Sequence, residues 1–348
     1  MNTEKFIKEL LKKYPEAEIQ DICKALYQST MGSGHFVNDI SSCTERIQKE
    51  FESMESTDED IITELDGEYV RISLSILNKG LSAQTLAHMF SLSQEEDTCA
   101  SCRLERKMED FLSLCKDEKL FDYEEAEKFI TSWKQEGYPS LHHSEKYRNT
   151  YHPAYRLIRK EMVTWLPVII RMDQMLKDNQ KITLAIDGHC GSGKTTCGVF
   201  LNKLYDSNLI HVDDFYLQKH QRTRERYEQP GGNFDRERLE EEVLIPIKEN
   251  RDIDYHWFDC YTLTLQDLIH LPHKNINIIE GSYSMYPSLR SYYNLSLFID
   301  IDPDKQLERI AKRNPDNYQD FVDKWIPYEN TYFDTYHVKE ACDIVIEN

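Results

Sequence analysis

Glycine and proline are scarce in this 348-residue chain, at 12 and 11 residues. With 40% hydrophobic and 30% charged residues beside them, that scarcity argues against large-scale disorder and fits a soluble globular protein. No apolar run approaches the roughly 20 residues that a bilayer-spanning helix requires. The opening segment MNTEKFIKELLKKYPEAEIQ has an amphipathic helix pattern and lacks the unbroken apolar stretch of a signal peptide. Positive charge is also in short supply: 42 basic against 62 acidic residues leave a net charge of −20. That field opposes non-specific binding to nucleic acid or an anionic membrane, so neither is expected as the main partner. The nine cysteines are odd in number and scattered, which fits reduced thiols in a cytoplasm rather than a disulfide framework. Internal repeats, low-complexity tracts and a protein-kinase catalytic-loop signature are absent as well.

What is present divides in two, as the length predicts. From Glu4 to about Trp133 the apolar residues recur mostly at helical spacing: Phe6, Leu10 and Leu11, then Ile19, Ile22, Leu26 and Tyr27, later Ile72, Leu74, Ile76 and Leu77, then Phe121 to Phe129. Turn signals at Pro15, Met31–Gly34, Gly67 and Gly80 punctuate them. The pattern predicts an all-α domain over residues 1–150, with the acidic stretch Glu50 to Asp60 as a solvated connection. Residues 151–180 read as bridging helices, with Pro167 starting or kinking one of them. After Lys181 five β-rich runs alternate with helices: Ile182–Ile186, Leu209–Val212, Ile276–Ile279, Leu295–Ile301 and Asp343–Ile346. They predict a five-stranded parallel sheet covered by helices on both faces, within a domain spanning 151–348.

The run KITLAIDGHCGSGKTT, Lys181 to Thr196, contains Gly188-x-x-x-x-Gly193-Lys194-Thr195 between an apolar strand and a helix-compatible run to Tyr205. A loop that wraps a phosphate turns its N–H groups inward, which demands backbone conformations open mainly to glycine. Gly188, Gly191 and Gly193 meet that demand. Gly188, His189, Cys190, Gly191, Ser192, Gly193, Lys194, Thr195 and Thr196 therefore form the expected nucleotide cradle. Lys194 would reach the β- and γ-phosphates, the Thr195 hydroxyl would ligate Mg²⁺, and the helix N-terminus would add positive charge. The run Asn202-Lys-Leu-Tyr-Asp206 has the wrong spacing for a GTPase base-recognition motif.

The second β-run leads into His211-Val-Asp-Asp-Phe-Tyr216, placing Asp213 and Asp214 at the carboxyl edge of the sheet, where open α/β sheets bind ligands. A carboxylate there can accept a proton from an attacking hydroxyl or hold Mg²⁺ through water; it can also merely cap a helix. P-loop, a strand ending in DDFY, Asn233-Phe-Asp235 and a strand ending in Glu280-Gly281 together resemble the uridine kinase, phosphoribulokinase and pantothenate kinase group, from about Lys181 to the C-terminus. The resemblance implies an α/β P-loop NTPase fold, ATP and Mg²⁺, and transfer of the γ-phosphate to a hydroxyl of a small metabolite. It implies Asp213 as general base and metal neighbour, and Glu280 as the acidic residue acting on the Mg²⁺ shell. It implies Asp235 as a contact to substrate hydroxyls, although Asn-Phe-Asp before a helix is also an ordinary cap. Tyr255, Phe258 and Asp259 fall where the group sets an aromatic–Asp pair against its substrate, and Tyr216 joins them as a candidate contact. Arg309 and Arg313 share a helix face at i, i+4, where the group carries lid arginines that close over the phosphates. Arg222, Arg224 and Arg226 offer a weaker anion-binding signal. The segment WIPYENTYF and the Gly188-His-Cys opening of the loop depart from the group, so no acceptor is carried over beyond a nucleoside or another polyhydroxy or vitamin-like compound.

The N-terminal half has no counterpart in those enzymes. His35, His142, His143 and His152, with Glu145, match no standard metal spacing and read as polar packing. Cys99-x-x-Cys102 lacks a second pair and reads as free thiols. The helical half is left to complete an acceptor pocket, form a homo-oligomer contact or bind a regulator. The competing functional reading is an ATP-dependent switch whose helical domain holds a partner.

Overall fold

The computed structural model describes residues 2–33, 39–54, 60–94 and 100–348. The chain divides into two compact units, Met1–Leu166 and Pro167–Asn348.

Helices of the first unit span Thr3–Lys13, Ile19–Met31, Ile40–Ser53, Ala83–Leu92, Ala100–Glu118, Tyr123–Gln135 and Glu145–Tyr151. The apolar residues of the first, second, fifth, sixth and seventh of these helices meet in one core. Phe6, Ile7 and Leu10 of the first helix join Ile22 and Leu26 of the second, and Leu104, Met108 and Phe111 of the fifth. That i, i+4, i+7 spacing is the periodicity read in the sequence.

The unit is not all-helical, which corrects the expectation. Three short strands, β1 (Ile62–Glu64), β2 (Tyr69–Ser73) and β3 (Tyr155–Arg159), form an antiparallel sheet in that order. The run Val70-Arg71-Ile72-Ser73 alternates apolar and polar residues, yet all five residues of β2 are buried, Arg71 and Ser73 included. Ile72 lies in β2, whereas Leu74 and Ile76 lie in a 3₁₀ turn capped by Ser73. Ile72, Leu74 and Ile76 recur at the period of two that a strand shows, and only Ile72 and Ile76 also stand one helical turn apart. Strand β3 also lies where a bridging helix was expected. It pairs with β2 (Val70 opposite Ile158), so the first unit runs on to Leu166. Pro167 sits in the first turn of the helix Leu166–Lys177, where its missing N–H removes no helical bond.

The second unit holds seven strands: β4 (Ile182–Gly188), β5 (Asn208–His211), β6 (Ile253–Asp259), β7 (Thr264–Leu271), β8 (Ile276–Glu280), β9 (Leu295–Asp300) and β10 (Ile344–Glu347). Five form a parallel sheet in the order β10-β9-β4-β8-β5. Its centre is apolar and buried, as parallel sheets require. Strands β6 and β7 pair as a separate antiparallel hairpin. The sheet order sets β5, β8 and β4 side by side, with His211 opposite Glu280 and Glu280 opposite Ile186. The segments leaving all three strands therefore open on one edge. Among the described residues no helix is long and apolar enough to cross a membrane.

Candidate active site

The segment after β4 folds as the glycine pattern demands. Gly188, Gly191 and Gly193 have φ of 140°, 77° and 103°. Gly193 caps the helix Lys194–Leu204 without any side-chain bond, so no protein side chain closes off the N-terminal amides of that helix as a cap. A Cβ on Gly188 would lie 2.1 Å from the Ile299 carbonyl oxygen of β9. Gly188→Ala is therefore expected to cost about 3 kcal/mol by combining backbone strain with displacement of a central strand. Urea unfolding followed by circular dichroism would show it.

The Lys194 ammonium folds back onto the loop, donating to the carbonyls of Gly188 (2.8 Å) and His189 (2.9 Å). The Ser192 hydroxyl is buried and has no partner among the described residues. A cradle of glycines, an uncapped helix start, an orphaned hydroxyl and a lysine at its mouth fit a nucleotide polyphosphate. The Thr195 hydroxyl lies 3.3 Å from Glu280 Oε2. A hydroxyl and a carboxylate are oxygen donors of the kind a hard cation such as Mg²⁺ takes.

Glu280, at the end of β8, is buried and bound through Oε1 to His211 Nδ1. That bond raises the His211 pKa. Asp213 follows β5 in the turn Val212–Phe215 and keeps solvent contact, with Tyr216 donating to it at 3.1 Å. Crowding by surrounding protein pushes the Asp213 carboxyl above its ordinary value; the charge of Glu280 pushes the same way and Lys194 opposes. Lys194, Glu280 and Asp213 thus act on one another across the sheet edge.

Other expected residues are placed differently. Asp235 is buried, caps the helix Arg236–Leu239 through the Arg238 N–H and accepts from Gln221. Both of its carboxylate oxygens have protein partners, which matches the capping alternative. Tyr255 is buried, stacks on Phe215 and donates to Asp214. Phe258 is buried beneath the Arg222 guanidinium. Asp259 closes the β6–β7 turn through Tyr261 and Thr262. Arg226 binds Glu237 and Arg224 binds Glu228.

The arginine pair separates. Arg309 donates to the Gly191 carbonyl at 3.2 Å, whereas Arg313 bonds its neighbour Asn314. On the phosphotransferase reading proposed below, Arg309→Gln is expected to lower turnover by about a hundredfold, the scale of losing one donor directed at a phosphate. Arg313→Gln should change it by less than about threefold, the scale of a solvated surface charge. Steady-state kinetics on both variants separates them.

Three loop neighbours escaped sequence reasoning. Gln306 donates to the Cys190 carbonyl at 2.9 Å. Glu329, buried in the helix Ile326–Tyr336, accepts the Cys190 N–H (2.9 Å) and the Ser282 hydroxyl (2.6 Å). Asp187, fully buried before the loop, accepts from Gly188, Met285 and Tyr332, yet burial pushes its pKa to about 6. The one sequence signal was a polar side chain inside an otherwise apolar helix face, at Gln306 and Glu329. The Cys190 thiol is pushed up to about 12, chiefly by burial, and stays protonated.

In the first unit, His143 is buried, His142 is exposed and His152 ends a helix in the left-handed conformation. His35 and Cys99 lie outside the described residues, while Cys102 is an exposed thiol.

No protein-family model and no curated protein matches this sequence. Solved structures do resemble about half of the chain. A possible uridine kinase from Bacillus stearothermophilus shares 20% identity over 52% of this chain and 99% of its own, with a TM-score of 0.40. The YGR205w protein shares 16% over 54% of this chain and 93% of its own, at 0.37. TT1252 from Thermus thermophilus shares 14% over 49% of this chain and 89% of its own, at 0.29.

Proposed function

We propose that the second unit is an ATP- and Mg²⁺-dependent phosphotransferase acting on a hydroxyl of a small metabolite, either a nucleoside or another polyhydroxy or vitamin-like compound. One observation carries this reading: the glycine cradle with Lys194, the buried Glu280 and the solvent-reaching Asp213 leave three adjacent strands on one sheet edge.

Lys194 and the loop amides would hold the β- and γ-phosphates, with Lys194 exchanging its two carbonyl partners for phosphate oxygens. Thr195, Glu280 and Asp213 would hold Mg²⁺, which supplies charge neutralisation at the γ-phosphate. Asp213 would take the proton of the acceptor hydroxyl as its oxygen bonds to the γ-phosphorus and the bond to the leaving ADP breaks. A carboxyl whose pKa is raised is a better match to that proton than an ordinary surface aspartate. Arg309 would neutralise charge on the transferring group.

The test is ADP release from Mg-ATP across nucleosides, pantothenate-like compounds, sugars and sugar phosphates. Stimulation by one acceptor class, lost in Lys194→Ala and Asp213→Asn, is the expected result. Tight nucleotide binding with turnover indifferent to every acceptor would overturn it in favour of a nucleotide-dependent switch.

A further inference from the structure

Arg71 sits at the centre of β2, opposite Thr63 of β1 and Leu157 of β3, and is only 4% exposed. A guanidinium so buried normally faces a carboxylate, because removing its charge from water costs several kcal/mol. Among the described residues none pairs with it. Its Nε and one terminal nitrogen both donate to the neutral Gln28 Oε1, at 3.0 and 2.7 Å. The guanidinium lies over the Tyr155 ring, 4.7 Å from its centroid. No hydrogen bond engages its other terminal nitrogen among the described residues.

The counter-charge is present but stands at the far end of a relay. Gln28 Nε2 donates to the Tyr155 hydroxyl at 3.1 Å. That hydroxyl lies 2.7 Å from His143 Nε2, and His143 Nδ1 lies 2.8 Å from Asp21 Oδ1. Burial lowers His143 to about 4, so the ring is neutral near pH 7 and carries one N–H. Burial also raises the Tyr155 hydroxyl, which keeps its proton. Asp21 is buried too, but bonds from His143 and Ser144 outweigh this and hold it ionised, below its ordinary value. Only one arrangement satisfies every group: Arg71 donates to Gln28, Gln28 to Tyr155, Tyr155 to His143 Nε2, and His143 Nδ1–H to Asp21. Asp21 is thereby spent on His143 and on Ser144, whose amide and hydroxyl it accepts at 3.0 and 2.6 Å. The positive end of the relay is left uncompensated.

That end lines a cavity of about 30 Å³ with Thr63, Ser73, Tyr147 and Tyr155. The space admits a water or two, or one small polar group, and no ring. Asp60 stands among the lining residues, with Lys13 bound to its carboxylate at 3.1 Å. Burial, with the Arg71 charge adding to it, lowers Lys24 to about 8, so the positive field reaches its neighbours. A fixed guanidinium fork ringed by hydroxyls suits a tetrahedral oxyanion, whose several oxygens take a bond each.

We propose that the N-terminal unit binds a phosphate group in this pocket, with Arg71 as its cation and the Gln28–Tyr155–His143–Asp21 relay as the support that orients Arg71. The group is either inorganic phosphate or the terminal phosphate of a small ester whose remainder stays outside the cavity. This site is separate from the P-loop and does not depend on the proposed phosphotransferase activity.

Hydrogen exchange on the full chain, with inorganic phosphate in one arm and glycerol 3-phosphate in another, tests it. Slower exchange in Tyr69–Ser73 and Tyr155–Arg159 is expected, kept in Lys194→Ala and lost in Arg71→Gln. Protection by both anions assigns the site to phosphate esters as well; protection by inorganic phosphate alone restricts it to the free ion. Protection confined to Gly188–Thr196, or none in those two strands up to about 10 mM, a concentration above which binding is negligible for a dedicated site, overturns the proposal. So does protection of the two strands that persists in Arg71→Gln. Should Arg71→Gln fail to fold, the exchange pattern of the unmodified chain and of Lys194→Ala decides alone.

Discussion

Lys194→Ala is expected to lower acceptor-stimulated ADP release by about a hundred- to a thousandfold, the scale of losing one preorganised electrostatic donor in a water-poor site. The argument begins with where the ammonium now rests. It holds two loop carbonyls, Gly188 and His189, and is 9% exposed. Those bonds hold the ammonium at the cradle, so moving to a phosphate needs only a change of partner. Alanine removes the charge that would meet the γ-phosphate and leaves both carbonyls without this donor. Ser282 still donates to Gly188, so the fold should lose only about 1–2 kcal/mol. A large kinetic loss with a small shift in the urea midpoint is the expected pair of results. A variant that keeps its turnover would remove Lys194 from the chemistry.

The P-loop was legible in the sequence because its signal is local. Three glycines and a lysine at fixed offsets dictate φ and charge with no help from the rest of the chain. The five parallel strands were legible for a related reason, since each is a short apolar run bounded by polar turns. Strand β2 carries a local signal as well, the alternation Val70-Arg71-Ile72-Ser73, but it is only five residues long, runs straight into the 3₁₀ turn Leu74–Lys79, and Ile72 and Ile76 also stand one helical turn apart. The β6–β7 hairpin also went unread as a pair. Its second strand is largely exposed, and a register shift between His256 and Phe258 breaks the alternation of the first. Gln306 and Glu329 reach the loop from over a hundred residues away, and only the sheet order brings them there. Arg309 and Arg313 share a helix face by spacing alone. Which one touches the loop depends on where Gly191 ends up relative to that helix, a matter of packing rather than period.

Asp213→Asn is expected to cost about a hundred- to ten-thousandfold in kcat, the range for removing a general base. Asparagine keeps the shape and can still accept the Tyr216 hydroxyl, so the turn Val212–Phe215 should persist and nucleotide affinity should change little. The pH profile carries the sharper test. Crowding raises the Asp213 carboxyl above its ordinary value, with the Glu280 charge adding to the effect. A base must be deprotonated to act, so kcat/KM should fall as pH drops through that raised value. The acid limb then has its midpoint above the roughly 3.9 of an unperturbed aspartate. Removing the Glu280 charge with Glu280→Gln should move the limb toward lower pH, because one source of the elevation is gone. In Asp213→Asn the limb itself should vanish from whatever activity remains. A limb that survives in Asp213→Asn belongs to another group, and the base would then have to be sought among the remaining carboxylates of the cleft, with Glu329 beside Cys190 the first to substitute.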